Sequence, residues 1–190
     1  MSTIVDDISA RIGQRVALER ELRGWSLSEL AERSGVSRAM IHKVERGESS
    51  PTATLLGKLS GAFGLTVSTL IARGEPRGTR VLARAEQELW IDPDTGYRRR
   101  QIVTTPAGDI TEVVMPPGKE VAVPAESYDF GMHVIWVVEG VLTFVVGEET
   151  HELAAGDRLR MGDPAPVIYR NASSADVRYL VTVFGSSTDA

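Results

Sequence analysis

The stretch Ser26-Leu-Ser-Glu-Leu-Ala-Glu-Arg-Ser-Gly-Val-Ser-Arg-Ala-Met-Ile-His-Lys-Val-Glu-Arg-Gly47 leaves this chain few ways to fold. It reads as two short helices joined at Ser34-Gly35-Val36-Ser37. Ser26 with Glu29 three residues on is a capping-box start for the first helix. Leu27, Leu30 and Ala31 form its apolar face, and Gly35 suits a left-handed helix end. Ser37 is the expected N-cap of the second helix, with Met40, Ile41 and Val44 as its buried stripe. That leaves Arg38, Ala39, His42, Lys43 and Arg46 facing outward. The face is polar and basic, and its small residue permits close approach. A helix pair of this kind can lay its second helix in a major groove, where side chains near its start meet base edges.

The motif and its flanks resemble the phage-repressor (XRE) family of helix-turn-helix proteins from about Ile8 to about Ala72. Ile12-Gly-Gln-Arg-Val16, Arg20 and Arg23-Gly24-Trp25-Ser26-Leu27 are similar to that family's first helix and its exit. Glu45-Arg46-Gly47 resembles the end of its recognition helix. Pro51-Thr52-Ala53-Thr54-Leu55-Leu56 resembles the start of its fourth helix, and Gly64-Leu65-Thr66-Val67-Ser68-Thr69-Leu70 the join to its fifth. The resemblance implies that Arg38, Ala39 and Lys43 face bases, and that Arg46 faces the phosphate backbone. It also implies an interhelical ion pair between Arg20 and Glu45. Leu27 departs from the family. Phage members often carry a backbone-contacting glutamine there, and leucine cannot donate that bond.

Charge supports a split chain. The net charge is −5, yet residues 1–73 hold 10 Lys/Arg against 8 Asp/Glu, while residues 74–190 hold 11 against 18. A mildly basic first part joined to an acidic second part fits a DNA-reading domain tied to a domain that does not touch DNA. Asp6 and Asp7 are expected to precede the folded region. The modest basic excess implies few phosphate contacts per head, and hence a dimer. There are no cysteines, which excludes disulfides and thiolate metal sites. The N-terminus lacks the pattern of a signal peptide, and no apolar run approaches the ~20 residues that span a bilayer. A cytoplasmic protein without a membrane partner is expected.

Ala72-Arg-Gly-Glu-Pro-Arg-Gly78 marks the boundary between helical and strand-like periodicity. The expected division is a helix-turn-helix domain over 8–72, a linker over 73–80 and a β-domain over 81–187. Strands are expected at Val81–Ala83, Ile102–Val103, Ile110–Met115, Val121–Val123, Val134–Val138, Val141–Val146, Val167–Tyr169 and Val177–Phe184. Turn residues separate them, as in an all-β barrel or sandwich. Asp92-Pro-Asp-Thr-Gly96 reads as a β-turn, because the later ligands of a calcium loop are missing.

Trp136-Val-Val-Glu-Gly140, Leu142, Phe144, Glu152-Leu-Ala-Ala-Gly156-Asp157, Pro166 and Tyr169-Arg-Asn171 resemble the small-barrel cupin family over about residues 105–184. The fold class implied is multidomain α plus all-β: a five-helix helix-turn-helix domain and a C-terminal cupin double-stranded β-helix. Cupins often hold a metal on histidines and a glutamate. Here His133 stands at the glutamate position, Val167 follows Pro166 where the late histidine belongs, and Pro124 to Asp129 holds Glu126, Tyr128 and Asp129 but no histidine. A first-row metal wants three or four convergent ligands, so no metal and no cofactor is expected. Alternation places His133, Ile135 and Val137 on one strand face and Val134 and Trp136 on the other. His133 is then either a hydrogen-bonded core residue or a polar contact for a ligand. The ligand reading groups Tyr128, His133, Ile135, Val167 and Tyr169 around a mostly apolar pocket.

No phosphate loop, His-Glu-x-x-His pair or Gly-x-Ser-x-Gly elbow is present. His151-Glu152 lacks a second histidine, and Glu148-Glu149 reads as a solvated hairpin turn. The expectation is a non-enzymatic transcriptional regulator. It reads an inverted-repeat operator in double-stranded DNA as a homodimer, with Arg38 and Lys43 on bases and Ser37, His42 and Arg46 on phosphates. The barrel would sense a small-molecule effector, and the linker would transmit its arrival. The alternatives are a cupin isomerase or oxygenase with a DNA-binding head, and an antitoxin-like module whose helix-turn-helix docks a protein.

Overall fold

The computed structural model describes residues 4–71, 81–105, 108–129 and 131–184, with side chains from residue 8 onward. Helices α1 (Ile4–Leu22), α2 (Leu27–Ser34), α3 (Arg38–Glu45), α4 (Ala53–Phe63) and α5 (Val67–Ile71) come first. The caps sit at the expected residues. Ser26 Oγ accepts from the Glu29 amide at 3.2 Å, and Glu29 Oε2 accepts from the Ser26 amide at 2.7 Å. Gly35 ends α2 at φ 63°, and Ser37 caps α3 through the Met40 amide. Asp6 and Asp7 do not precede the fold but lie within α1. Met40 is also not part of the buried stripe. It is 36% exposed, whereas Ile41 and Val44 are fully buried. On a helix as short as α3, the positions i and i+3 alone satisfy the core-facing side.

The head's core is built from Ile8, Ile12 and Val16 of α1, Leu30 of α2, Ile41 and Val44 of α3, Leu56 and Leu59 of α4, and Leu70 of α5. Gly13 lets α1 cross α3 in close contact: a Cβ there would lie 2.1 Å from the Val44 carbonyl oxygen. The interhelical ion pair is formed. Arg20 Nε and Nη2 donate to the two Glu45 oxygens at 2.7 and 2.9 Å, and Arg20 Nη1 donates to the Trp25 carbonyl.

Among the described residues ten strands follow: β1 (Leu89–Ile91), β2 (Arg98–Thr105), β3 (Gly108–Met115), β4 (Glu120–Val123), β5 (Met132–Glu139), β6 (Val141–Val146), β7 (Glu149–Ala154), β8 (Arg158–Arg160), β9 (Val167–Arg170) and β10 (Val177–Phe184). Their pairings are antiparallel. One sheet runs β1-β2-β3-β10-β5-β8 and the other β4-β9-β6-β7. The last eight strands thus divide as β3-β10-β5-β8 against β4-β9-β6-β7. That is the double-sheet jelly roll found in cupins, and β1 and β2 extend one edge of it. Alternation on β5 holds: His133, Ile135 and Val137 are buried, and Trp136 is exposed.

One expected strand is corrected and three strands are additions. Val81–Ala83 forms no strand, and Val81 is 81% exposed, because nothing packs over it. β1 and β8 are only three residues long, too short for alternation to register. β7 is missed because its outward residues are charged and only Leu153 is buried. The expected linker 73–80 and residues 185–187 lie outside the described residues. The turn at Asp92–Gly96 is present: Asp92 Oδ1 accepts from the amides of Asp94 and Thr95 and from Thr95 Oγ1.

On the outer face of the larger sheet, Glu112 meets Arg84 at 3.0 Å, Arg100 at 3.4 Å and Arg178 at 3.6 Å. Burial alone would raise the Glu112 carboxyl, but the guanidinium of Arg84, with those of Arg100 and Arg178, outweighs it and holds the carboxyl below its ordinary value. A lowered folded value means the stabilisation is complete above the ordinary carboxylate range and is lost as pH falls through the folded value. Glu112→Gln should cost about 1–3 kcal/mol at neutral pH. In chemical denaturation at a series of pH values, the gap from wild type should close below pH of about 4.

Candidate DNA-reading surface and barrel cavity

The second helix of the helix-turn-helix, α3, presents Arg38, Ala39, His42 and Lys43 to solvent, with exposed Met40 beside them. The Ser37 oxygen is occupied as the N-cap, so its hydroxyl hydrogen remains available to an external acceptor. Arg46 ends the helix, but its guanidinium pairs with exposed Glu48. A phosphate at Arg46 would have to compete with that carboxylate. Met40, which the sequence placed in the buried stripe, lies instead on this exposed face. It offers apolar contact of the kind that reads a thymine methyl.

The two domains are docked on each other by polar contacts. Thr54 Oγ1 donates to the Ala122 carbonyl at 3.0 Å, and Ser127 Oγ donates to the Gly57 carbonyl at 2.9 Å. Thr66 Oγ1 donates to Asp109 Oδ2, Ser68 and Thr111 share a hydroxyl–hydroxyl bond of 2.9 Å, and Arg11 pairs with Glu88. Asp92 Oδ2 accepts from the Ala53 amide, so the β1–β2 turn caps the start of α4 from across the interface. Gly57 and Gly61 lie one turn apart on α4, under the 3₁₀ turn Ala125–Tyr128. Their Cβ positions would fall 3.2 Å from Pro124 and 2.9 Å from Glu126.

Between the docked domains lies a cavity of about 60 Å³. The head contributes Ala53 and Gly57 of α4 and Thr66, Val67 and Ser68 around the start of α5. The barrel contributes Tyr97 and Arg99 from the β2 side, Val121 and Val123 of β4, and Ser127 and Tyr128. His133 of β5, Tyr169 of β9 and Val181 and Val183 of β10 complete the lining. At ~10–15 Å³ per water position, the space admits a body of only a few heavy atoms.

Of the five residues the sequence grouped around a pocket, Tyr128, His133 and Tyr169 line this cavity. Ile135 and Val167 are fully buried in the barrel core and do not. Tyr128 and Tyr169 join through their hydroxyls at 2.9 Å, and the His133 ring meets Tyr128 edge-on at 4.7 Å. Burial raises both tyrosine hydroxyls far above their ordinary value, so both are neutral at physiological pH. Arg99 is the residue that sequence reasoning missed. Nη1 donates to the Tyr97 hydroxyl at 3.2 Å, and Nη2 donates to Ser68 Oγ at 3.0 Å and Thr111 Oγ1 at 3.4 Å. Among the described residues its Nε is buried without a partner. The donor set does not fit a cupin metal. Among the described residues no three His, Asp or Glu side chains converge, and beside His133 the cavity offers hydroxyls and a guanidinium.

Residues 16–70 match the helix-turn-helix family HTH_3. The chain is 32% identical over 166 residues to the HTH-type transcriptional regulator SutR of Escherichia coli (strain K12), covering 84% of this chain and 86% of that one. It is 39% identical over 61 residues to the HTH-type transcriptional regulator SinR of Bacillus subtilis (strain 168), covering 32% of this chain and 55% of that one. The fold is shared with the crystal structure of an HTH_3 family transcriptional regulator from Vibrio cholerae, at a TM-score of 0.77 and 24% identity over 94% of this chain and 98% of that one. No helix among the described residues is long and apolar enough to cross a membrane.

Proposed function

The chain belongs to the XRE (HTH_3) family of helix-turn-helix DNA-binding transcriptional regulators, and from that premise we propose that it works as a dimer whose barrel senses a small molecule. The head would span 8–72 and the barrel 81–187. Arg38 and Lys43 would meet base edges, Arg38 favouring guanine, with Ala39 permitting close approach. Ser37, His42 and Arg46 would hold phosphates and fix the register. Two heads are needed to engage half-sites one helical turn apart. Exposed Met132, Trp136 and Phe184 on the larger sheet supply apolar surface that a second copy could cover. The protein would act in the cytoplasm and catalyse no reaction.

One observation carries the sensing role: the cavity is walled by both domains, so its contents touch the head directly. A ligand alters DNA binding only if it favours one arrangement of the two heads over another. The test is selection from a random duplex pool with wild type and Arg38→Ala in parallel. Wild type should enrich an inverted repeat. The variant should lose about 1–3 kcal/mol of discrimination at one position of each half-site. Unchanged selection by the variant would remove Arg38 from base readout, and failure to enrich any duplex would favour a protein-docking role for α3.

A further inference from the structure

We propose that the interdomain cavity takes a small organic anion whose acid group sits on Arg99, and that the head feels this ligand through Ser68. The second half rests on the sensing role given above.

Arg99 carries a permanent charge at the wall of this cavity, half-buried between α5 and the larger sheet. Among the described residues its hydrogen-bond partners are three neutral hydroxyls, and its Nε has none. Hydroxyls orient a guanidinium but do not neutralise it. A half-buried cation that meets no counter-charge among the described residues keeps an attraction for an incoming anion. The planar donors of arginine suit a carboxylate or another oxyanion in bidentate geometry. Among the described residues no acidic side chain lines the cavity to repel it. The rest of the ligand is set by the remaining walls. Val121, Val123, Val181 and Val183 are apolar, which asks for a hydrocarbon body rather than a bare inorganic ion. The volume of about 60 Å³ suits a short chain.

The route to the head follows from the same bonds. Arg99 Nη2 donates to Ser68 Oγ on α5, and Ser68 is bonded in turn to Thr111 of β3. An acid group on Arg99 competes for the donor that ties α5 to the barrel. Ligand and head therefore share one guanidinium, and the coupling needs no part of the interdomain connection.

Propionate is a suitable probe, with propionamide as its neutral isostere and methanesulfonate and inorganic phosphate as further oxyanions. Propionate should raise the thermal midpoint of wild type in proportion to the logarithm of its concentration, and propionamide should not. Arg99→Gln should weaken propionate roughly tenfold or more, and Arg99→Lys should keep part of the response. Val181→Leu narrows the cavity without touching Arg99 and should also abolish the response, which keeps a reading available if the Arg99 variants fold poorly. Methanesulfonate acting in place of propionate would keep the anion site and change the acid group. Stabilisation by phosphate alone would overturn the organic ligand, and equal stabilisation by propionamide, or by none of the four, would overturn the anion site. DNA affinity with and without propionate separates the second half. It should shift in wild type and shift less in Ser68→Ala at equal propionate binding. Propionate binding with unchanged DNA affinity would leave the anion site standing and remove the sensing role. A neutral molecule that stabilises the protein and moves DNA affinity would do the reverse.

Discussion

Glu45→Ala should lower stability by about 3–5 kcal/mol. Arg20 and Glu45 side chains are only 15% and 9% exposed, and two parallel bonds of 2.7 and 2.9 Å join them. The Arg20 guanidinium also holds the Trp25 carbonyl, where α1 gives way to α2. Removing the carboxylate leaves a charge fixed in place by that bond, with only the exposed Glu21 carboxylate, 3.5 Å away, to offset it among the described residues. For a cooperative unit of this size the midpoint should fall by about 2–4 °C per kcal/mol, so by roughly 6–20 °C. Replacing both partners, Arg20→Met with Glu45→Leu, should recover most of the loss, because the penalty is the stranded charge rather than the missing attraction. Differential scanning calorimetry of the two variants checks this. A loss below about 1 kcal/mol for Glu45→Ala would place the pair with ordinary surface ion pairs. The position matters for function because Glu45 ends α3 and its anchor on α1 fixes the tilt at which Arg38 and Lys43 leave the surface.

The Arg20–Glu45 pair is legible in the sequence through the family likeness of its two positions. The caps at Ser26 and Ser37 are legible by a more direct route, because short-range hydrogen bonding writes itself into residue type at fixed spacing. The jelly roll is legible through its long alternating strands, with β5 and β10 the clearest. Short strands are not: three residues, as in Leu89–Ile91 and Arg158–Arg160, carry less than one full alternation of burial. The cavity is half-legible. Tyr128, His133 and Tyr169 belong to the barrel alone, and the cupin resemblance reaches them. Arg99 cannot be reached that way. It stands in the run Arg98-Arg99-Arg100, where three like charges show no alternation and suggest a wet surface. Only the docking of α5 against β2 and β3 encloses the middle one, through Ser68 and Thr111. The glycines of α4 are a similar case. Gly57 and Gly61 weaken a helix by propensity, and their reason lies in the turn at Glu126, far along the chain.

Gly61→Leu should undock the head from the barrel. Two effects oppose each other at this position. Leucine improves an α4 standing alone by about 0.8–1 kcal/mol, since glycine is a poor helix former. Against the docked barrel, the new Cβ would fall 2.9 Å from Glu126 Cβ and 3.0 Å from the Glu126 carbonyl carbon. Backbone cannot swing aside as the end of a side chain can, and the rest of the leucine needs room as well. Overpacking of this kind costs about 1–3 kcal/mol where a core can relax, and more where backbone is struck. The balance favours separation over strain, because most of the polar contacts across the interface are hydroxyl bonds, such as Thr54 to Ala122 and Ser127 to Gly57. Each such bond is worth about 0.5–1.5 kcal/mol net, and water can replace it once the faces part. Small-angle scattering should then show a larger radius of gyration for Gly61→Leu, while the circular dichroism of helix and strand stays near wild type. Lys58→Leu, on the same helix but exposed, should leave the scattering unchanged. Separation removes Ala53, Gly57 and Ser68 from the cavity wall in one step, so an undocked protein should still bind its operator and lose any response to a cavity ligand. Unchanged scattering for Gly61→Leu would mean that the turn at Glu126 gives way before the interface does.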